Sequence, residues 1–210
     1  MKLLLHICCG PCSIYPVKVL RERGYDLTGR WYNPNIHPWK EFRRRLDTLE
    51  TYAEKISLPL IVERDYGLTE YLRKVVFHEN ARCAVCYEMR LEDTARLAAE
   101  LGFPAFTTTL FYSKYQNHTL MKNIGNKMAA KYGVEMLYED FSVGWQEGID
   151  RSIEEEMYRQ PYCGCIYSEQ ERYDNRWKKR RKKEFKRQQG LKNALHDSDS
   201  NNKQRQVAGI

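Results

Sequence analysis

The 210-residue sequence contains no long apolar run. Its first hydrophobic stretch, Leu3–Leu5, ends at His6, whereas a secretory signal needs an apolar core of roughly 7–15 residues. No later segment stays apolar for the ~18 residues that a membrane span requires. These absences argue against a signal peptide and a membrane helix. We therefore expect a soluble, cytoplasmic protein without a membrane partner.

Most of the chain also lacks a net charge. The formal charge is +7, but residues 176–187 contain nine basic side chains and one acidic one, which amounts to +8. The residues after 187 carry +1, so the first 175 residues carry −2. We expect one nearly neutral globular domain over residues 1–175. A basic helix and a flexible, disordered tail follow over residues 176–210, and their charge favours non-specific RNA binding.

The number of cysteines is odd, and this argues against a secreted disulfide framework. All seven belong to clusters, and none is isolated. The three clusters are Cys8 and Cys9 with Cys12, Cys83 with Cys86, and Cys163 with Cys165. In a reducing compartment, clustered cysteines more often bind metal or carry out redox chemistry.

Strand and helix patterns alternate along the chain. The predicted strands cover residues 2–8, 26–33, 58–63, 105–110 and 134–141. The predicted helices cover residues 14–24, 38–57, 68–77, 86–102 and 118–133. Ser13 is the expected N-cap of the first helix, and Gly24 is its expected stop. The alternation predicts an α/β fold in which a parallel sheet has helices on both faces.

Ligands in such sheets bind at the carboxyl ends of the strands. Cys8 and Cys9 follow the first predicted strand, and residues 107–113 end the fourth. Cys83 and Cys86 begin a helix, whose N-terminus stabilises thiolates. The cysteines are therefore expected where an α/β fold builds its active site.

The four sulfurs of Cys8, Cys9, Cys83 and Cys86 fit two kinds of metal site. Structural zinc and an iron–sulfur cluster are about equally compatible with the spacing alone. Cys163 and Cys165 fit further ligands, inert core thiols or a redox pair. A disulfide across one glycine closes a very small ring, and strained disulfides are the more oxidising ones.

Five segments together resemble one known family. They are LLHICCGPCS, WYNPNIHPWKEFRRR, RCAVCYEMRL, TTTLFYSKYQNH and YRQPYCGCIYS. Their order and spacing are similar to those of QueH-type epoxyqueuosine reductases, over roughly residues 1–170. The resemblance implies that residues 1–175 form a catalytic α/β domain with an iron–sulfur site. This domain is expected to be PP-loop-like, of the HUP or Rossmann-like type.

The same resemblance implies the reaction and its cofactors. QueH-type enzymes perform the last step of queuosine biosynthesis, the reductive removal of the epoxide oxygen from epoxyqueuosine at the tRNA wobble position. The implied cofactor is a 4Fe-4S cluster, without cobalamin. The implied partners are tRNA that carries epoxyqueuosine and an electron donor that the sequence does not identify.

Residue roles follow from the resemblance, position by position. The implied cluster ligands are Cys8, Cys9, Cys83 and Cys86, and the implied redox-active pair is Cys163 with Cys165. Cys12 is a seventh sulfur outside this scheme. Its interpretations are a buried free thiol and a ligand for an additional iron beside the cluster.

The reduction of the epoxide requires proton donors and a binding site for the nucleotide. His6, Asp65, Tyr115 and His118 are candidate proton donors, although most polar residues near such a rim only form hydrogen bonds. The substrate-binding candidates lie after the second and fourth strands and are Asn33, Asn35, His37, Ser113 and Tyr115. The run Arg43–Arg45 is able to meet phosphates, but a solvated helix face is the commoner role.

Two other function classes share parts of this pattern. A PP-loop tRNA thiolase or ligase needs a Gly-Ser-rich pyrophosphate loop after the first strand, and CCGPCS occupies that position. A non-enzymatic, zinc-stabilised RNA-binding module predicts bound zinc and no role for Cys163 or Cys165.

Overall fold

Five short strands form one parallel sheet, as the sequence predicts. They are β1 (Lys2–His6), β2 (Asp26–Trp31), β3 (Leu60–Val62), β4 (Ala105–Thr108) and β5 (Glu135–Met136). Their order is β3-β2-β1-β4-β5, and all neighbours are parallel. Leu3, Leu4 and Leu5 are fully buried, because layers on both faces cover the central strand of a parallel sheet.

The structure is a computed structural model that describes residues 1–187 and residue 189. The chain forms two compact units, of which the first ends at Ile166 and the second begins at Tyr167. The second unit contains most of helix α7 (Ile166–Tyr173) and an exposed helical stretch over residues 175–187. The remaining residues after 187, which the sequence predicts to be flexible, lie outside the described part.

Six helices of the first unit surround the sheet. They are α1 (Gly10–Glu22), α2 (Trp39–Lys55), α3 (Leu68–Val75), α4 (Arg82–Glu100), α5 (His118–Tyr132) and α6 (Trp145–Glu154). Helix α1 packs against α2 and α6, whereas α4 packs against α3 and α5. These two groups are the helical layers that right-handed crossovers place on opposite faces of a parallel sheet.

Helix α2 shows how the sequence pattern fixes the packing. Phe42, Leu46 and Leu49 recur at helical spacing and are fully buried. Pro38 is the N-cap, where its fixed φ and missing N–H cost little. The periodic apolar residues of this helix therefore form its buried face.

Other boundaries differ from the predictions. Helix α1 begins at Gly10 with Cys9 as its N-cap, so the prediction of Ser13 as N-cap was wrong. The Ser13 hydroxyl instead donates to the Gly10 carbonyl inside the first turn. Strand β5 is only two residues long, and α6 is a helix that the pattern analysis did not predict.

The strand order reverses between β1 and β4. The chain segments that follow β1 and β4 therefore turn towards opposite faces of the sheet. A crevice opens between them at the carboxyl ends of the two strands. His6 pairs with Thr108 at the last shared position of the two strands. Thr109 is the next residue after Thr108, and Cys8 lies two residues after His6, so the first cysteine cluster lies at the crevice.

Within the described residues, no helix combines the length and apolar character that crossing a membrane demands.

Gly148 on α6 packs directly onto Tyr112, and we predict that Gly148→Ala destabilises the protein. A Cβ at this position would lie 2.2 Å from the Tyr112 hydroxyl oxygen and 2.7 Å from Cζ. The Tyr112 hydroxyl donates to the Trp145 carbonyl at 2.8 Å, so the rigid ring has little freedom to move. Overpacking of this kind costs about 1–3 kcal/mol, measurable by denaturant unfolding.

The control is Asp150→Ala, an exposed position on the same helix. It should change the unfolding free energy by less than about 0.5 kcal/mol. Equal effects of the two substitutions would show that the close packing at Gly148 does not matter.

Candidate metal and redox site

The turn after β1 directs sulfur atoms towards the start of α1. Cys9 adopts extended backbone angles at the N-cap, and its Sγ accepts a hydrogen bond from the Cys12 N–H at 3.4 Å. Pro11 occupies the first turn, where its missing N–H leaves no intrahelical bond unmade. The partial positive charge of a helix N-terminus favours negatively charged sulfur here.

Three sulfurs meet at this turn. The Sγ atoms of Cys8, Cys9 and Cys12 all lie within 4.8 Å of one another. Cys9 is buried, and Cys8 and Cys12 are half-buried. This spacing and burial allow the triad to bind a metal ion. The structure thus groups Cys12 with Cys8 and Cys9, although the sequence places it outside the four expected ligands.

Hydrogen-bond donors surround the triad. The Thr109 hydroxyl donates to Cys8 Sγ at 3.5 Å, and the Gln160 amide donates to Cys9 and Cys12 Sγ at 3.0 and 3.2 Å. Hydrogen bonding with the Cys12 and Cys9 side chains lowers the pKa of Cys8, whereas burial raises the pKa of Cys9. Donors aimed at sulfur stabilise the thiolate form that binds metal.

Cys83 and Cys86 lie in the first turns of α4, as predicted. Cys83 is exposed and Cys86 is buried. Burial raises the pKa of Cys86 to about 12, and its Sγ accepts a hydrogen bond from Arg90 at 2.9 Å. Neither residue joins the triad in the described structure. That the four cysteines share one cluster therefore stays a prediction.

Cys163 and Cys165 flank a glycine with an unusual backbone. Gly164 has φ +148°, and a Cβ there would lie 3.2 Å from Asn35 Nδ2 and from Ile36 Cγ1. An L-residue would be strained at this φ. Cys163 is exposed and accepts a hydrogen bond from the Gln116 amide at 3.3 Å, whereas Cys165 is buried.

Arg45 of α2 anchors the segment that carries these two cysteines. Its guanidinium donates to the Cys163 and Tyr162 carbonyls at 2.9 Å each. Its Nε donates to Glu41 at 2.7 Å, and both charged side chains are buried. Arg45 is therefore no solvated or phosphate-facing residue, which corrects the interpretation of the Arg43–Arg45 run.

The predicted substrate contacts after β2 lie below the surface. Asn33, Asn35 and His37 are each at most 2% exposed. The His37 N–H donates to the Gly164 carbonyl at 2.8 Å, and the Tyr162 hydroxyl donates to the His37 carbonyl. Burial lowers the pKa of His37 to about 4. This loop supports the Cys-Gly-Cys segment, and its role in substrate binding stays a prediction.

Ser113 and Tyr115, predicted after β4, line an open cavity of about 390 Å³. Its wall contains Cys12 of the triad and Cys163 of the Cys-Gly-Cys segment. Both cysteine groups therefore border the same space. The cavity is also lined by residues that the sequence analysis did not identify, notably Gln116, Trp145, Arg159 and Gln160.

The candidate proton donors occupy different environments. His6 is fully buried, pairs with the Thr108 hydroxyl at 2.8 Å and has its pKa lowered to about 3 by burial. His118 bonds to the Ser113 carbonyl at 3.1 Å, and Asp65 is exposed. Of the four, Tyr115 lines the cavity.

One missed residue had a detectable signal in the sequence. Arg45 falls at helical spacing with Phe42, Leu46 and Leu49, so the pattern already places it on the buried face of α2. Gln116 and Gln160 carry no comparable signal, because isolated amides have no characteristic spacing.

Comparison with known proteins gives consistent matches. The family model described as "Epoxyqueuosine reductase QueH" matches residues 3–171. A protein of that name from Dehalococcoides mccartyi is 37% identical over 172 residues, which cover 82% of this chain and 94% of the relative. A relative of that name from Acinetobacter baylyi is also 37% identical and covers 84% of each chain.

A solved structure resembles the fold. It is described as a predicted subunit of tRNA methyltransferase from Methanocaldococcus jannaschii and matches with a TM-score of 0.50. The match covers 73% of this chain and 75% of that one, at 11% identity. At this identity the similarity supports the α/β architecture alone.

We predict that Arg45→Gln destabilises the protein by roughly 3–5 kcal/mol, because it breaks a buried ion pair and leaves Glu41 without its cation. It should also raise hydrogen exchange at residues 162–165, because Arg45 binds the carbonyls of Tyr162 and Cys163 and so holds this segment in place. Denaturant unfolding and exchange mass spectrometry measure the two effects.

The matched control is Arg43→Gln on the same helix, which removes a more exposed pair with Asp47. It should change stability by less than about 1 kcal/mol and leave exchange at residues 162–165 unaltered. Arg45→Gln behaving like this control would contradict the anchoring role.

Proposed function

Because the chain belongs to the QueH family of epoxyqueuosine reductases, we propose that it reductively removes the epoxide oxygen of epoxyqueuosine at the wobble position of a tRNA anticodon. The product is queuosine, so this is the last step of queuosine biosynthesis. One observation carries the proposal. The cavity of about 390 Å³ is bordered by Cys12 from the sulfur triad and by Cys163 from the Cys-Gly-Cys segment.

The cavity suits a nucleoside by size and lining. Its volume falls within the range of about 300–1,000 Å³ typical of small-molecule sites. Tyr112 stacks on Trp145 with ring centroids 5.1 Å apart, and Tyr115 meets Trp145 edge-on at 5.6 Å. Proteins bind splayed RNA bases by stacking them on aromatic rings. The Lys114 ammonium lies near the rings of Tyr115 and Trp145. Together, Lys114 and Tyr115 form an exposed rim for the anticodon loop.

The reaction balances with the two cysteines of the Cys-Gly-Cys segment as reductant. Two carbon–oxygen bonds of the epoxide break, and a carbon–carbon double bond forms. Cys163 and Cys165 lose two electrons and form a disulfide. Their two protons, delivered directly or through a donor such as Tyr115, combine with the oxygen as water. An external electron donor must then reduce the disulfide before the next turnover.

The chain positions this pair from two sides. Arg45 and the His37 N–H fix the backbone from Tyr162 to Gly164, while the Gln116 amide points at Cys163 Sγ. Burial raises the pKa of the Cys163 thiol, and the charge of Arg90 and the Gln116 hydrogen bond offset part of this rise. These contacts orient Cys163 towards the cavity where the epoxide binds.

The metal-binding residues fit an iron–sulfur cofactor without cobalamin. The proposed cluster ligands are Cys8, Cys9, Cys83 and Cys86, with Cys12 available to an additional iron. A donor set made of cysteines suits zinc or iron–sulfur rather than magnesium or calcium. Because four cysteines would ligate all four cluster irons, the additional iron beside Cys12 is the centre whose open position would supply Lewis acidity to the departing oxygen.

The alternatives are weaker on specific grounds. A PP-loop thiolase or ligase binds ATP through a Gly-Ser-rich loop, whereas a sulfur triad follows β1 in this chain. A zinc-stabilised RNA-binding module gives no reason for Cys163 to border a cavity shared with Cys12. We further propose a cytoplasmic location, since the substrate is tRNA.

The two cysteine groups should respond differently to substitution. Cys163→Ser and Cys165→Ser should retain bound iron but lose multiple turnover, because one thiol cannot close the disulfide. Cys83→Ser and Cys86→Ser should lose the cluster, because a hydroxyl is a poor replacement for a thiolate on iron. Iron quantification and mass spectrometry of epoxyqueuosine-tRNA measure the two properties for each variant.

Ser113→Ala serves as the control, since it alters the cavity wall without removing a sulfur and should retain iron. Loss of the cluster in Cys163→Ser would refute the proposal that Cys163 carries electrons and does not bind the cluster. Full turnover by both Cys163→Ser and Cys165→Ser would refute the dithiol as reductant.

A further inference from the structure

Three arginine side chains are buried in the first unit, and two of them have carboxylate partners. Arg30, Arg45 and Arg90 are 5%, 2% and 2% exposed. Arg30 Nε lies 2.8 Å from Asp93, and Arg45 Nε lies 2.7 Å from Glu41. A buried cation is costly unless an anion compensates it, and these two arginines meet that requirement.

The positive charge of Arg90 on α4 is compensated in a different way. In the described part of the chain, no aspartate or glutamate forms a salt bridge with Arg90. Its Nη2 donates to Cys86 Sγ at 2.9 Å, and its Nε donates to the Cys86 carbonyl at 3.1 Å. Both of these hydrogen bonds thus go to Cys86, whose sulfur becomes negatively charged when it binds a metal.

The charge of Arg90 also acts on both cysteine groups. It interacts electrostatically with Cys86 and Cys163, and with Cys8 of the triad. Its charge thus acts on residues proposed to bind the cluster and on Cys163, which is proposed to carry electrons. Hydrogen bonds to cluster sulfurs and the net charge around a cluster are two determinants of its reduction potential.

We infer that Arg90 is the buried counter-ion of the metal-binding sulfurs and raises the reduction potential of the centre that they hold. The inference rests on the proposed function, because it assumes that Cys8 and Cys86 bind the cluster. Adding one electron to an anionic cluster increases its negative charge, and a nearby fixed cation stabilises the reduced form. Arg90 is in this sense a positioning residue and makes no contact with substrate.

The test compares Arg90→Met and Arg90→Lys with Arg30→Met. Arg90→Met replaces the charged side chain with an apolar one, whereas Arg90→Lys keeps the positive charge. Arg30→Met removes a buried arginine that is paired with Asp93. The midpoint potential of each iron-loaded protein is measured by anaerobic spectroelectrochemical titration. A change of tenfold in the one-electron equilibrium constant corresponds to about 59 mV.

Arg90→Met should lower the midpoint potential by at least the value of about 59 mV that corresponds to a tenfold change. Arg90→Lys should restore most of this difference. Arg30→Met should have the midpoint potential of the wild type. An unchanged potential in Arg90→Met would overturn the inference while leaving the proposed function intact. Wild-type protein that binds no iron under these conditions would instead overturn the proposed function.

If Arg90→Met does not retain its cluster, denaturant unfolding of the metal-free proteins tests the inference instead. Without metal, Arg90 is a buried cation without a carboxylate, so Arg90→Met should unfold at the same denaturant concentration as the wild type or higher. Arg30→Met should unfold at a lower concentration, because it breaks a compensated pair. Equal destabilisation by both substitutions would show that Arg90 has only a packing role.

Discussion

Strand β1 is hydrogen-bonded to a parallel neighbour on each side, and this double pairing determines where the sulfurs lie. His6 pairs with Arg30 of β2 and with Thr108 of β4. The chain leaves β1 at the point where the strand order reverses, so Cys8 emerges beside Thr109. Since the three leucines of β1 are fully buried, a shift in its register would expose core residues and separate the sulfurs from their hydrogen-bond donors.

Charge balance is the second constraint on the site. Arg45 neutralises Glu41 and uses its remaining N–H groups on the Cys-Gly-Cys backbone. Arg90 contacts Cys86 sulfur without a carboxylate partner in the described residues. Arg45 thus fixes a backbone segment, whereas Arg90 is the proposed counter-ion of the metal-binding sulfurs. This distinction is consistent with an anionic metal centre at the crevice.

The sequence predicts the parts of this architecture that depend on local pattern. The alternation of elements, the apolar face of α2 and the location of Cys8 and Cys9 at a strand end all follow from periodicity and strand direction. Contacts between distant segments do not. The burial of Asn33, Asn35 and His37 depends on tertiary packing that no spacing rule encodes. The same is true of the hydrogen bonds from the Gln116 and Gln160 amides to sulfur. Helix α6 was missed, and its interior glycine lowers helix propensity.

The central claim is that the cysteines of the crevice hold a redox-active iron centre and not structural zinc. Metal analysis and the visible spectrum of the anaerobically purified full-length protein test it most directly. The account predicts a brown protein with about four irons or slightly more per chain, as a cysteine-ligated 4Fe-4S cluster gives. Stoichiometric zinc without iron, in a colourless protein, would contradict it.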